Sequence, residues 1–193
     1  MKLKNICVFC SASKKVDPHY FDLAYAFGKL LAEEGIGLVY GGADIGMMGS
    51  VADGCIDHGG HTHGVTTEYL NQYEGKHDRL HTIEVATDMH TRKKVMFENS
   101  DAVVVLPGGF GTLDETLEIL TWKQIGLHEK PLIVVDYKGY WAPLQKLIES
   151  IVTHKFATEL DGQLIRFVPD INDVIPLMRS LPRIKINPTT KWL

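Results

Sequence analysis

The run Ala102-Val103-Val104-Val105-Leu106-Pro107-Gly108-Gly109-Phe110-Gly111-Thr112 carries two signals in succession. Its first five residues are unbroken apolar, the mark of a strand covered on both faces, as in a parallel sheet. Three glycines in four residues follow at the carboxyl end of that strand. Glycine loses more backbone freedom on folding than any other residue, so such a loop suits a place where the backbone faces a ligand. A second glycine turn, Gly41-Gly42-Ala43-Asp44-Ile45-Gly46-Met47-Met48-Gly49, closes another short apolar run, Gly37–Tyr40.

Outward from these turns, short apolar runs alternate with longer amphipathic ones. Strands are expected over residues 6–10, 37–40, 62–66, 81–86, 102–106, 132–135 and 164–168. Helices are expected over 18–34, 44–58, 88–99, 112–125, 140–152 and 171–181. Residues 67–80 read as polar and irregular, and 182–193 as a tail with two prolines. Alternation of this kind predicts an α/β fold, a doubly wound parallel sheet with helices on both faces, over residues 1–181 as one domain. Ligands in such sheets bind at the carboxyl ends of the strands, near a switch in strand order. Both glycine turns lie at such ends.

Composition narrows the function. The 193 residues are 45% apolar and 23% charged, an ordinary globular balance. Twenty basic residues against 24 acidic ones give a net charge of −4, with no broad attraction to nucleic acid polymers or anionic membranes. Phosphate binding therefore has to come from a local site. No apolar run approaches the ~18 residues of a membrane span, and the apolar stretch after Met1-Lys2-Leu3-Lys4 is too short for a signal peptide. A cytoplasmic location is expected. Cys7, Cys10 and Cys55 read as thiols; Cys7 and Cys10 sit three apart on a strand, which sends their sulfurs to opposite faces.

The first glycine turn is neither G-x-G-x-x-G nor a P-loop, which disfavours a dinucleotide site. Either Gly46 and Gly49 permit close helix packing, or the turn's backbone approaches a ligand. The second turn suits an anion nest at a helix start. Within it, Thr112-x-x-Glu115 fits a capping box; alternatively, Glu115 is an ionised carboxylate, favoured by the helix dipole, that faces a cationic centre or orients water. In Met89-His90-Thr91-Arg92-Lys93-Lys94-Val95-Met96, Arg92 falls on one helix face with Met89 and Met96. It either snorkels to water or enters a cleft to meet phosphate or carboxylate. Lys93 and Lys94 are expected to be solvated or to steer phosphate. His58, His61 and His63 lack a spaced acidic ligand, so no metal is expected. No G-x-S-x-G elbow is present.

Met89-His90-Thr91-Arg92-Lys93 and Pro107-Gly108-Gly109-Phe110-Gly111-Thr112-Leu113-Asp114-Glu115 together resemble the LOG ("Lonely Guy") family of cytokinin riboside 5′-monophosphate phosphoribohydrolases. The family pattern is M-x-x-R-K followed by P-G-G-x-G-T-x-x-E. The resemblance runs from Cys7-Val8-Phe9-Cys10-Ser11 through the first glycine turn to about Tyr140. It implies a Rossmann-like homodimer that hydrolyses the N-glycosidic bond of a nucleoside 5′-monophosphate, yielding free base and ribose 5-phosphate, with no cofactor. It implies Arg92 and Glu115 as catalytic residues. Substrate contacts are implied for Glu74, Arg92, Lys93, the loop from Gly108 to Glu115 (Gly108, Gly109, Phe110, Gly111, Thr112, Leu113, Asp114, Glu115) and Thr121. The chain departs from many relatives at Ala43 and Asp114. A lysine decarboxylase label attached to some relatives fits poorly, because nothing here marks a Schiff-base lysine.

The chemistry suits these residues. Breaking an N-glycosidic bond builds positive charge on the ribose, as in glycoside hydrolysis, and an ionised Glu115 meets that charge. Cytokinin riboside monophosphates and AMP both remain open as substrates, as does a non-catalytic nucleotide-binding or sensing module. For the homodimer, Met47, Met48, Met89 and Met96 are candidates for adaptable apolar surface near the contact.

Overall fold

The structure, a computed structural model, describes residues 3–182 and 184–187. Most of the predicted tail lies outside the described residues; of the part that is described, Ile186 is buried.

The chain runs β1 (Asn5–Phe9), α1 (Pro18–Glu33), β2 (Gly37–Tyr40), α2 (Gly46–Asp57), β3 (Thr62–Thr67), α3 (Glu68–Glu74), β4 (Thr82–Ala86) and α4 (Met89–Glu98). It continues through β5 (Ala102–Val105), α5 (Phe110–Gln124), β6 (Leu132–Val135), α6 (Ala142–Thr153), α7 (Glu159–Gly162), β7 (Arg166–Val168) and α8 (Val174–Ser180). All seven expected strands form one sheet in the order β4-β3-β2-β1-β5-β6-β7, and each neighbouring pair is parallel. The order reverses between β1 and β5, so the loops after those two strands face each other at the carboxyl edge.

Strand alternation divides the core. Ile6, Val8 and Cys10 join the cluster that holds Phe27 and Leu31 of α1, Val51 of α2 and Met178 of α8. Cys7 and Phe9 join the opposite cluster with Met96 of α4, Ile119 of α5 and Leu144 of α6. Cys7 and Cys10 thus lie on opposite faces as free, buried thiols. Helices α1 and α2 cross closely because a Cβ at Gly28 would stand 2.0 Å from the Val51 carbonyl oxygen, and one at Gly54 2.0 Å from that of Tyr25.

Three expectations change. Residues 67–80 are not wholly irregular: Thr67 caps α3 by accepting from the Leu70 N–H. Helix α3 buries no residue, which is why no apolar period announces it. The last helix is split into a 3-10 turn at Ile171–Asp173 and α8. Met47, Met48 and Met96 are core residues of the subunit, and of the four candidate methionines Met89 alone is exposed.

Candidate active site

A cleft of about 390 Å³ opens at the carboxyl edge where the strand order switches. One wall is the loop after β1, Cys10 to Ser13; the other is the start of α5 with Gly109, Gly111, Thr112, Asp114 and Glu115. Arg92 and Met89 of α4, Met48 of α2, and Leu70 and Glu74 of α3 complete it.

Helix α5 starts two residues earlier than the sequence suggests. Gly109 is its extended N-cap (φ −95°, ψ −153°), and no side chain caps it. Thr112 is therefore inside the helix, packed so closely on Gly108 that a Cβ there would meet its Oγ1 at 2.1 Å. The capping box of Thr112 and Glu115 does not form. Nor does an αR-αL nest, since Gly108, Gly109 and Gly111 are absent from the glycines with positive φ. What faces the cleft is a helix N-terminus, whose unpaired amides and dipole favour an anion. Nothing lies within 4 Å of a Cβ built on Gly109 or Gly111, so both leave the approach to those amides open.

Arg92 is delivered into the cleft rather than to water. Asp88 caps α4 through the Thr91 N–H at 2.8 Å, and one turn on, Arg92 is 4% exposed. Its Nε donates to the Val65 carbonyl at 2.8 Å and its Nη2 to the Gly41 carbonyl at 3.3 Å. Nη1 donates to Oε1 of Glu115 at 3.4 Å. The first glycine turn serves this arginine: a Cβ on Gly41 would meet Nη2 at 2.3 Å and the Met48 sulfur at 2.8 Å.

Glu115 is not held as a carboxylate by a dipole. Burial pushes it up, Arg92 pulls it back in part, and it settles at about 7. Burial also raises Glu74, against the pull of Arg92. The cleft thus holds two carboxyl groups, Glu74 and Glu115, that burial raises and one guanidinium restrains.

Other expected contacts go elsewhere. Lys93 is buried, not solvated, with Nζ 3.0 Å from Asp114 and 2.7 Å from Glu118. Burial opposes its charge, but those two carboxylates hold its pKa above the usual lysine value. Lys94 is the exposed one. Phe110 is 92% exposed, and Leu113 packs on the core cluster beneath α5. Thr121 is exposed and donates to the Leu117 carbonyl within its own helix. Of the expected contacts, Lys93, Gly108, Phe110, Leu113 and Thr121 do not line the cleft within the chain.

Ser11 and Ser13 were missed. The signal was Cys10-Ser11-Ala12-Ser13 directly after the first strand, which becomes a wall only once the switch is placed between β1 and β5. His58, His61 and His63 turn to three different neighbours, the Gly54 carbonyl, the His81 ring and Glu84. Asp44, Asp53 and His77 do gather within 4.8 Å. There Nδ1 of His77 accepts the Arg79 N–H at 3.2 Å, which leaves Nε2 to donate to Asp53 at 3.2 Å. Arg79 bonds Asp53 and Asp57 as well. That arrangement is a clamp between α2 and the segment after α3, in which Asp53 and Asp57 are matched by donors and Asp44 stands exposed, 3.8 Å from His77.

A family model described as possible lysine decarboxylase matches residues 48–178. The chain is 36% identical over 183 residues to cytokinin riboside 5′-monophosphate phosphoribohydrolase LOG1 of Arabidopsis thaliana, covering 94% of this chain and 86% of that protein. It is 38% identical to the cytokinin riboside 5′-monophosphate phosphoribohydrolase of Rhodococcoides fascians, covering 92% and 90%. The chain belongs to the LOG family. In fold it is similar to the molybdenum cofactor binding protein of Rippkaea orientalis, with a TM-score of 0.72 at 24% identity over 93% of this chain and 98% of that one. The decarboxylase description does not fit this LOG cleft. A pyridoxal phosphate Schiff base needs a lysine amine in the site, and among the described residues no lysine lines the cleft. Lys93 of the LOG motif spends its ammonium on Asp114 and Glu118.

Proposed function

We propose that this protein hydrolyses the N-glycosidic bond of a nucleoside 5′-monophosphate, a cytokinin riboside monophosphate or AMP, to free base and ribose 5-phosphate. The observation that carries the reading is the Arg92–Glu115 pair at 3.4 Å, set beside a helix N-terminus in one cleft. The 5′-phosphate sits at the amides that open α5. This places the ribose over Glu115, whose carboxylate faces the charge that grows on the ring as the bond to the base breaks. The bonding electrons leave with the base. A water oxygen adds to the ribose carbon, its proton passes to Glu115, and the base nitrogen takes a proton in turn. A carboxyl group settled at about 7 both accepts and returns a proton near neutrality. Arg92 is fixed by two carbonyls, so it holds Glu115 in place and supplies positive potential for the departing base or the phosphate.

The relatives named as cytokinin riboside 5′-monophosphate phosphoribohydrolases support this substrate class. The test is a panel of nucleoside monophosphates and their unphosphorylated nucleosides, with released base measured by chromatography. Base release from monophosphates alone is the expected result. Equal turnover of nucleoside and nucleotide removes the phosphate assignment; no release from any of them assigns the cleft to binding without cleavage.

The active form is a homodimer. Edge strand β4 leaves Ile83 and Val85 exposed, and Met89 of α4 and Leu117 of α5 are exposed as well. An open strand edge with apolar side chains is a surface that proteins ordinarily cover. The three buried free thiols suit the reducing cytoplasm, and among the described residues no helix is long and apolar enough to cross a membrane.

A further inference from the structure

At the opposite end of the sheet, the amino ends of β6 and β7 border a second cavity of about 220 Å³. Lys123 reaches it from the last turn of α5, Arg166 from the first position of β7 and Arg179 from α8. Nothing in the cleft chemistry uses these residues.

Lys123 is 6% exposed. Its Nζ donates to the Leu164 carbonyl at 3.0 Å, which occupies one of three donors. A buried ammonium is ordinarily matched by a carboxylate, as Lys93 is twice over. Lys123 has no ion pair among the described residues, and the charge that acts on it is a second cation, Arg166. Burial first and Arg166 second push its pKa down to about 8. Arg166 is half-buried and likewise makes no ion pair among the described residues. Arg179 on the same wall is tied on one side to Glu34 at 2.8 Å. Glu129 is the carboxylate of this wall, and none of the described ion pairs joins it to any of the three cations. Two cations on one cavity wall, neither ion-paired among the described residues, fit an anion that is supplied from solution.

We propose that this amino-end cavity binds a phosphate-type anion between Lys123 and Arg166, at a site separate from the cleft. A guanidinium fork and a lysine point charge are the pair of donors suited to phosphate oxygens. The cavity exceeds the size of a bare phosphate ion, so inorganic phosphate and a small phosphate ester share the chemistry that it recognises. The inference does not rest on the hydrolase reading.

The test titrates inorganic phosphate and glycerol 3-phosphate into the full chain by calorimetry, with crystals soaked in tungstate as a phosphate surrogate. Expected are tungstate density between Lys123 and Arg166 and a phosphate site weakened about tenfold or more, the scale of one lost charged hydrogen bond, in Arg166→Gln. Base release from nucleotides stays unchanged in that variant. Lys123→Met serves as a second variant, and Arg166→Gln stands alone if burial makes the first unable to fold. Tighter binding of the inorganic ion identifies a free-phosphate site; tighter binding of the ester identifies a phosphorylated metabolite. The proposal is overturned if phosphate affinity is the same in Arg166→Gln and wild type, or if Arg92→Ala, which alters the cleft alone, removes all phosphate binding.

Discussion

Nη1 of Arg92 stands 3.4 Å from Oε1 of Glu115 across the mouth of the sheet, joining the start of one helix to the first turns of the next. The arginine side chain is 5% exposed and the glutamate side chain 13%. A pair this enclosed usually keeps its carboxyl group fully ionised, yet here burial outweighs the guanidinium and Glu115 rests at about 7. Two of the five N–H donors of Arg92, on Nε and Nη2, are already used by backbone carbonyls. Its fixed position makes it a scaffold for the glutamate as much as a partner.

Glu115→Gln separates catalysis from structure. Without a capping box there is no cap for the substitution to preserve or break, and the amide keeps the size of the acid. Turnover is expected to fall by ~10²-fold or more, the scale of a positioned acid–base group, while the melting temperature at pH 7.5 does not fall. Near-full activity in the variant would return Glu115 to a binding role.

The pH dependence has a definite sign. Folding raises Glu115 from its ordinary value of 4.5 to about 7, so the native state binds more protons than the unfolded chain between those values. This contribution to stability is full below about 4.5 and is lost as pH rises through about 7. His128, pushed by burial down to about 4, acts with the opposite sign over part of that window. The measure is therefore the difference between wild type and Glu115→Gln, whose melting temperatures should diverge in favour of the variant from pH 5 to pH 7.5. Base release should rise through pH 7 if the ionised carboxylate is the working form.

Arg92→Ala is expected to cost both activity and stability. It leaves the Val65 and Gly41 carbonyls without their buried donor, at roughly 1–3 kcal/mol for each unsatisfied group. It also removes the charge that restrains Glu115, so any remaining activity should show its rising limb at higher pH than wild type. An Ala variant with unchanged melting temperature would contradict the hydrogen bonds assigned to the arginine.

Two glycines should respond in opposite ways. A methyl group at Gly41 collides with Arg92 Nη2, so Gly41→Ala displaces the arginine and should lower kcat. At Gly109 a methyl group meets nothing in the free protein but stands before the amides proposed to receive the phosphate. Gly109→Ala should fold normally and raise KM about tenfold or more, the scale of one charge-assisted hydrogen bond. Melting curves and steady-state kinetics on the two variants check this directly.

Light scattering is expected to give twice the chain mass at micromolar concentration. Val85→Lys, which places a charge on the open edge of β4, should shift the population towards single chains, since charged edge residues oppose strand-edge association. A wild-type chain that runs at single mass would remove the dimer.

The central strands β1, β2, β5 and β6 were legible because each is a short apolar run that the sheet buries almost throughout, whereas β3, β4 and β7 carry polar residues and were legible from their place in the alternation. The turn Pro107–Gly111 was legible for a related reason, since a loop so rich in glycine has to serve close approach. Helix α3 was not legible: it buries nothing, and an exposed single-layer helix leaves no periodic trace. The capping box was a false reading, because the same four residues fit a helix beginning at either of two places. Gly109 can cap without a side chain, and the chain used it.

Pairing of residues distant in sequence is a different matter. The resemblance to the LOG family implies that Arg92, Glu74 and Glu115 belong to one site but not which of them meet. Strand order places the loop after β1 opposite the loop after β5, and so brings Ser11 and Ser13 into the cleft unannounced. Helix geometry also turns Lys93 away from the cleft to a buried pairing with Asp114 and Glu118 while its neighbour Arg92 turns in, since adjacent residues on a helix point about 100° apart. The ionisation of Glu115 follows from the same strand order. Burial is a property of the assembled layers, and no local run of residues contains it.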